Sequence, residues 1–229
     1  MHTRSTDVKD NVFEDPIFGG DVVKDKRVAQ GDLTRAALLQ AARDLFGDKG
    51  FAETSTDEVV ARAGVTKGAL YHHFRGKDDL FLAVFEQVQH EASDQAVAEF
   101  LNPDSWQALV KGCGLWIDAY MDPSVRRIVM QDARAVLGWD EVRAVENRFG
   151  AVALRGALRT AMHAGVFEQQ PLRPLSQMLM GALSEGCLYI ADAHDPIAAR
   201  AEVQELIARI LEAFGIPSPD ESAPAVATS

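Results

Sequence analysis

The chain has 229 residues and a hydrophobic content of 47%, values that are ordinary for a folded protein of one large or two small domains. We expect no membrane span, export signal or disulfide framework, because the chain lacks an apolar run of about 18 residues, an apolar N-terminal core and more than two cysteines. The net charge of −11 disfavours a nucleic-acid partner only if it is evenly spread. It is not: residues 31–77 hold 7 Lys and Arg against 6 Asp and Glu, whereas residues 78–229 hold 11 against 22. We therefore predict a soluble cytoplasmic protein with an acidic C-terminal body.

Residues 1–31 mix charges with glycine and proline and show no sustained hydrophobic periodicity, so a disordered arm is predicted there. The first helix is predicted over about Leu33–Asp48, with Gly50 ending it. Its apolar residues recur at helical spacing and form one stripe for the core: Leu38, Ala41, Ala42, Leu45 and Phe46.

Two short helices joined by a tight turn are predicted to follow. Ser55 and Glu58 have the spacing of a capping box, which begins a helix. Gly64 suits the left-handed residue that ends this helix. Thr66 can cap the next one, which runs to about Phe74. The pattern is that of a helix-turn-helix.

The second of these helices has two distinct faces. Leu70 and Phe74 lie four residues apart and share an inward face. Lys67 and Tyr71, also four apart, lie on another face, with His72 beside them. One face is therefore anchored, and the other offers a cation, a phenol and an imidazole, which suits a helix that enters the major groove of DNA.

The rest of the chain is predicted to be helical. A long helix begins at Lys77 with two carboxylates in its first turn and reaches about Phe100. The segment over 175–193 is apolar nearly all round, so it needs cover on both sides. Residues 215–229 are predicted to form a disordered tail. No strand pattern is present, and the further helices are predicted over about 103–120, 123–137, 140–164, 175–193 and 195–214.

Residues 34–80 resemble the DNA-binding domain of the tetracycline-repressor (TetR) family. About ten separated positions agree with the family in order, spacing and context. The residues that carry the resemblance are Thr34-Arg35, Ala41-Ala42-Arg43-Asp44-Leu45-Phe46, Lys49-Gly50-Phe51, Thr54-Ser55, Ala63-Gly64-Val65-Thr66, Leu70-Tyr71-His72-His73-Phe74 and Lys77-Asp78-Asp79-Leu80.

The resemblance implies an all-α fold in two parts. A three-helix DNA-binding domain is expected over 32–78, followed by a helical effector-binding and dimerisation domain over 79–214. About nine helices in this order are also typical of the family, whose two C-terminal helices pair with those of a partner in a four-helix interface. The implied function is a homodimeric repressor that a small, largely apolar organic molecule releases from a palindromic operator. No cofactor is implied.

The resemblance also implies DNA contacts for named side chains. Lys67 is placed to donate to guanine O6 and N7, although a solvated lysine is the plain alternative. Ala69 departs from the family, which often has a threonine hydroxyl there, so one phosphate contact of the family does not carry over from the resemblance. The basic stretch 24–27 of the arm either touches a groove or is solvated. The candidate DNA-binding residues are Thr54, Ser55, Thr66, Lys67, Gly68, Tyr71, His72, His73 and Lys77.

Aromatic and sulfur-containing residues of the body are candidates for an effector pocket, with a plain hydrophobic core as the alternative. Possible polar groups for such a pocket are Asp118, Arg126, Arg127 and Gln131. The candidate ligand-binding residues are Trp106, Cys113, Trp116, Tyr120, Met130, Phe149 and Met162.

Two other functions stay open at this point. A helical small-molecule enzyme would use the same pocket, but no catalytic order, phosphate loop or metal-ligand spacing is present, and neither catalytic nor metal residues are predicted. A DNA-binding regulator with a filled core and no effector is the second alternative. The sequence leaves open the operator, the regulated genes, the effector and the choice between repression and activation.

Overall fold

The computed structural model describes residues 19–100 and 105–215, with the backbone alone described over 19–28 and at Ser105. This part of the chain is helical and contains no strand; one antiparallel bridge joins Phe167 to Gly215. The predicted all-α class is confirmed. Residues 1–18 of the predicted arm, the predicted break at 102–104 and all but the first residue of the predicted tail lie outside the described residues.

In chain order the elements are α1 Gly19–Glu53, α2 Thr56–Ala63, α3 Lys67–His73, α4 Lys77–Phe100, α5 Ser105–Ala119, α6 Pro123–Arg126, a π-helical segment Arg127–Asp132, α7 Ala133–Leu137, α8 Trp139–Arg148, α9 Gly150–His163, α10 Leu172–Asp192 and α11 Pro196–Glu212. None of the helices in the described part of the chain combines the length and apolarity needed to cross a membrane.

The first helix starts earlier than predicted. Its backbone is helical from Gly19, so the arm predicted over 1–31 is wrong for residues 19–31. The apolar stripe that begins at Leu38 is buried, as the periodicity predicts. At Gly50 the backbone takes a φ of +87°, which only glycine adopts easily, and the helical path breaks there. The break turns the chain towards α2.

Local capping forms the helix-turn-helix. Ser55 Oγ accepts from the backbone N–H of Glu58, and the Glu58 carboxylate accepts from the N–H of Ser55, so both halves of the capping box are present. Gly64 has a φ of +67° at the end of α2, and Thr66 caps α3 by accepting from the N–H of Ala69. The buried side chains of Leu70 and other inward residues then hold α3 on the core.

The long helix α4 belongs to both parts of the molecule. Its first half buries Leu80, Phe81 and Phe85 in the core that contains Phe46 of α1. Its second half buries Ala92 and other small side chains on the side of α5. A displacement of α4 therefore affects both the DNA-binding helices and the body.

Two of the predicted body helices are divided in the structure. The helix predicted over 123–137 consists of α6, the π-helical segment and α7. The helix predicted over 140–164 breaks at Phe149, where φ is −106° and ψ is −84°. Hydrophobic spacing continues across both breaks, so the sequence pattern does not show them. The break at Phe149 brings Gly150 close to Trp116: a Cβ built on Gly150 would lie 3.5 Å from Trp116 Nε1.

The last two helices pack closely together and leave an apolar outer face. A Cβ built on Gly186 of α10 would lie 2.6 Å from Val203 Cγ1 of α11, so the absence of a side chain permits this approach. On the outer side, Met178 is 74% and Leu206 is 57% exposed. Tyr189 and Ile210 are further large exposed residues of the two helices. The apolar pattern of α10 predicts packing partners on both sides. On this face, the described part of the single chain does not provide one.

Candidate nucleic-acid interface

The structure separates the two faces of α3 as the spacing predicts. Leu70 and Phe74 are buried, whereas Lys67, Tyr71 and His72 are exposed. Tyr71 exposes half of its surface, at 52%. The outward side chains are free of the core, so α3 can lie in a groove without disturbing its packing.

Lys67 is held by an ion pair in the absence of DNA. Its Nζ lies 2.7 Å from Asp57 Oδ1, at the start of α2, and this hydrogen bond raises the pKa of Lys67. Both side chains are more than half exposed, so the pair contributes little to stability. To contact a base, Lys67 would have to exchange its ion pair with Asp57 for a contact with DNA. The sequence alone did not indicate the role of Asp57.

The serine and threonines singled out from the sequence have different surroundings. Thr54 is buried, and its hydroxyl donates to the carbonyl of Gly50 at 2.8 Å, with the carbonyl of Leu45 at 3.3 Å. It therefore holds the turn and does not face DNA as the resemblance implies. Ser55 is exposed, but its hydroxyl already donates to the Glu58 carboxylate. Thr66 is exposed, and its hydroxyl can still donate after accepting from the cap N–H.

The capping carboxylate is itself strongly held. The hydrogen bond from Lys49 Nζ, followed by those from Ser55, lowers the pKa of Glu58 to about 2. Glu58 is therefore an anion at neutral pH beside Ser55. A phosphate at Ser55 would have to approach this charge, which makes Ser55 a weaker candidate than Thr66.

Gly68 and the histidines complete the set of predicted contacts. Gly68 is exposed and leaves the backbone of α3 open to close approach. The rings of His72 and His73 meet edge to face at 5.1 Å between centroids, and His73 is half-buried. A Cβ on Gly31 would lie 3.9 Å from His73 Cε1, so His73 lies beside α1.

Lys77 has a structural role in addition to the DNA contact that the resemblance implies. Its Nζ donates to the carbonyls of Phe51 and Thr54 at 2.9 and 3.0 Å and lies 4.0 Å from the centre of the Phe51 ring. Lysine has three N–H donors, so one remains for a phosphate. Lys77 thus ties the start of α4 to the joint between α1 and α2.

We expect Lys77→Ala to have two effects. It should weaken binding to all DNA sequences alike and reduce the salt slope by roughly 1 per half-site, because one phosphate contact is lost. It should also cost about 1–3 kcal/mol of folding stability, because two carbonyls lose their donor. Fluorescence anisotropy against salt and thermal unfolding measure the two effects. Arg75→Ala is the control, since Arg75 is 89% exposed and pairs only locally with Asp79; equal effects from both variants would contradict the assigned role.

A second contact joins the body to the α1–α2 joint. The backbone N–H of Phe51 donates to Asp132 Oδ2 at 2.8 Å, and Arg127 Nη1 donates to the carbonyl of Asp48 at 2.6 Å. Both side chains come from the π-helical segment, and such segments are frequent at functional sites. The sequence suggested Arg127 as a polar group of the pocket. The structure instead places Arg127 at the contact between the body and α1.

The body contains a small cavity between α4, α5, α9 and α10. Of the candidate ligand residues, Cys113 and Trp116 line it. The sequence reasoning missed the other lining residues, because they come from helices far apart in the chain. These are Ser93, Ala96, Phe100, Gly150, Ala153, Leu154, Met180 and Leu183.

The other candidates lie elsewhere. Tyr120 is buried beside Trp116 and donates its hydroxyl to Gln89 Oε1 at 2.8 Å; burial raises its pKa. Trp106 stacks on Phe167 with 6.0 Å between ring centroids.

Three further candidates do not line the cavity either. Phe149 meets the ring of His90 and belongs to a surface groove between α1 and α4. Met162 is buried in the core, and Met130 is half-buried in the π-helical segment. In the single chain these three residues pack in the core or at the surface. That is the alternative to an effector pocket stated in the sequence analysis.

No metal or thiol chemistry is apparent in the residues described. They contain no group of His, Cys, Asp and Glu that could hold a metal ion. Cys113 and Cys187 are free and buried, and burial raises the pKa of each thiol to about 12. Both are neutral packing groups at physiological pH.

Comparisons with known proteins decide the family. Residues 38–84 match the model of the bacterial regulatory proteins of the tetR family, and residues 106–214 match the tetracyclin repressor-like C-terminal domain. A TetR-family transcriptional regulator from Pectobacterium atrosepticum is 31% identical, with 82% of this chain and 97% of that chain covered and a TM-score of 0.70. The chain belongs to the TetR family. It is a DNA-binding transcriptional regulator.

Two further proteins are similar to this chain. The Tn10 TetC protein of Escherichia coli is 28% identical over 160 residues, which cover 69% of this chain and 78% of TetC. The structure of RolR in complex with resorcinol shares the fold at 19% identity and a TM-score of 0.61, covering 80% of this chain and 90% of RolR. The TetR resemblance of the DNA-binding segment is confirmed, whereas the individual DNA contacts stay predictions.

Proposed function

We propose that this TetR regulator is a homodimeric repressor that a small organic effector, bound in the body, releases from a palindromic operator. The observation that carries the proposal is the docking of Asp132 and Arg127 on the joint between α1 and α2. Because α4 also begins at this joint, where Lys77 holds it, a rearrangement of the body has two routes to the recognition helix. The unit that binds DNA would extend to about residue 78, and the body would cover 79–214.

The outer face of α10 and α11 supports the dimer. Monomeric proteins rarely leave a contiguous apolar face of this kind in water. A second copy would cover Met178 and Leu206 with the same residues of its own, which is the self-complementary arrangement of a two-fold dimer. Two α3 helices would then meet half-sites about 34–36 Å apart, one turn of DNA.

Release follows from a change in that spacing. An effector that favours a dimer with a different separation of the α3 helices lowers operator affinity by its coupling energy, typically about 1–3 kcal/mol or 5–150-fold. By linkage, DNA lowers effector affinity by the same factor. We also propose that the protein binds its operator in the cytoplasm.

Selection of bound sequences from random duplexes, using the full-length protein, tests the DNA part of the proposal. We expect a palindrome with one-turn spacing and a protein dimer on it by light scattering. Addition of small-molecule pools to the complex tests the effector part. Tight operator binding by a monomer contradicts the dimer, and a dimer that no compound releases indicates an effector-free regulator.

Asp132→Ala should weaken the coupling between body and DNA. The variant removes the acceptor for the Phe51 N–H and frees the α1–α2 joint. We expect the release factor of an active compound to fall by about 2–30-fold and the Phe51 amide to exchange faster with solvent. Asp140→Ala, at the exposed start of α8, is the control. Unchanged release and unchanged amide exchange in Asp132→Ala would show that this contact is passive.

A further inference from the structure

Two buried polar atoms in the described part of the chain have no hydrogen-bond partner. They are Ser93 Oγ on α4 and Trp116 Nε1 on α5, and each residue is only 5% exposed. Folded proteins rarely leave such groups unpaired, because a buried donor without an acceptor loses its hydration without compensation. The indole N–H can only donate, so the group that satisfies it must be an acceptor.

Both atoms belong to residues that line the cavity between α4, α5, α9 and α10. The remaining lining side chains are apolar except for the Cys113 thiol, whose burial keeps it neutral. No Asp, Glu, Lys, Arg or His lines this cavity. A charged ligand would therefore lose its hydration without gaining a counter-ion, whereas an uncharged ligand would not.

The cavity is nearly closed in this structure. Its volume is about 10 Å³. A single water needs about that much, so a larger ligand must displace side chains. Met180 is the flexible group beside the indole: a Cβ on Gly150 would lie 3.1 Å from Met180 Cε and 3.5 Å from Trp116 Nε1.

We propose that this cavity binds the effector and selects a small, uncharged, mainly apolar molecule that carries a hydrogen-bond acceptor, such as an aromatic ketone. The acceptor pairs with Trp116 Nε1–H, and Ser93 Oγ–H donates to the same atom or to a neighbouring one. The ring occupies the apolar space that Met180 vacates. This inference rests on the proposed function, in which the body binds an effector, and adds the site and the ligand chemistry.

The position of the cavity links its opening to DNA binding. Ser93 lies on α4, whose first residue, Lys77, holds the carbonyls of Phe51 and Thr54. A ligand that separates α4 from α5 therefore acts on the helix that anchors the α1–α2 joint. Because the ligand binds only the opened cavity, it shifts the protein towards that state.

Three probe compounds test the chemistry on the full-length protein by calorimetry. Acetophenone has the acceptor, α-methylstyrene has nearly the same shape with a methylene in place of the carbonyl oxygen, and benzoate is charged. We expect acetophenone to bind once per chain and α-methylstyrene to bind about tenfold more weakly, because the unmet donor stays buried. Benzoate should not bind.

Two matched variants separate the indole N–H from general packing. Trp116→Phe keeps an aromatic ring and removes the donor, so it should lower acetophenone affinity about tenfold and abolish the preference over α-methylstyrene. Trp106→Phe, on the same helix but stacked on Phe167 outside the cavity, should bind both compounds as the wild type does. In the wild type, acetophenone alone should shift the Trp116 indole N–H resonance downfield, which tests the contact without any substitution.

Several results would overturn the proposal. They are equal binding of acetophenone and α-methylstyrene, unchanged preference in Trp116→Phe, preferred binding of benzoate, no binding of any probe, or a bridging water that no probe displaces. Binding with the expected preference but no release of the operator would support the site and contradict the effector role in the proposed function. Operator binding without any probe binding would leave the DNA-binding function intact and remove this site.

Discussion

Lys67→Ala is expected to reduce operator affinity by about 1–3 kcal/mol per half-site, or roughly 2–6 kcal/mol for the dimer, and to relax base preference at one position in each half-site. The reason is that the Lys67 side chain is exposed at the start of α3, whereas Leu70 of the same helix is buried. Anisotropy titrations against operators that carry each base at each position measure both effects. Lys111→Ala is the control, because Lys111 lies on α5 and pairs with Glu99.

The partner of Lys67 provides a second test of the same docking. Asp57→Ala frees the lysine and removes a negative charge next to the DNA-facing helix. Since an exposed ion pair contributes little, operator affinity should stay the same or rise slightly. If Lys67→Ala binds every operator variant as the wild type does, α3 does not read bases through this residue. A large loss in Asp57→Ala would mean that the ion pair positions α3 for binding.

Leu206→Glu is expected to dissociate the proposed dimer and to lower operator affinity at least about 100-fold. In the single chain Leu206 is 57% exposed on α11, so a glutamate there is harmless to the monomer fold. In the dimer the carboxylate would be buried without a partner, at an effective cost of several kcal/mol. A monomer would then engage one half-site with one recognition helix and lose the second set of contacts.

Light scattering and operator titration test this prediction together. Val152→Glu is the matched control: Val152 is a 52% exposed apolar residue of α9 and belongs to neither α10 nor α11. It should leave both the dimer and the operator affinity unchanged. A Leu206→Glu protein that remains dimeric and binds the operator normally would place the interface elsewhere on the molecule.

Signals within a few residues of each other predicted the DNA-binding helices well. The capping box at Ser55, the left-handed residue at Gly64 and the cap at Thr66 are all present, because each depends on backbone groups no more than four residues away. The inward face of α3 follows from the 3.6-residue period, which turns Leu70 and Phe74 to the same side. The same period places Lys67 and Tyr71 together on the exposed side of α3.

Breaks inside apolar runs were not predictable in this way. The irregular backbone at Phe149 and the π-helical segment at Arg127–Asp132 interrupt stretches whose apolar spacing is continuous. The reason is that the surrounding helices decide where the backbone departs from regularity. Asp132 accepts from Phe51, 81 residues earlier, and spacing within one helix contains no information on such a contact.

From the sequence alone, the resemblance was enough to predict the family. Local hydrogen bonds and helical periodicity were enough to predict the all-helical class and the two faces of α3. Only the tertiary structure decided that Thr54 is buried, that Lys77 holds two carbonyls and that the cavity unites Ser93 with Trp116. Periodicity shows which side of a helix is inward but not which side chain of another helix it meets. Those encounters join distant residues, and they are set by how the whole body packs.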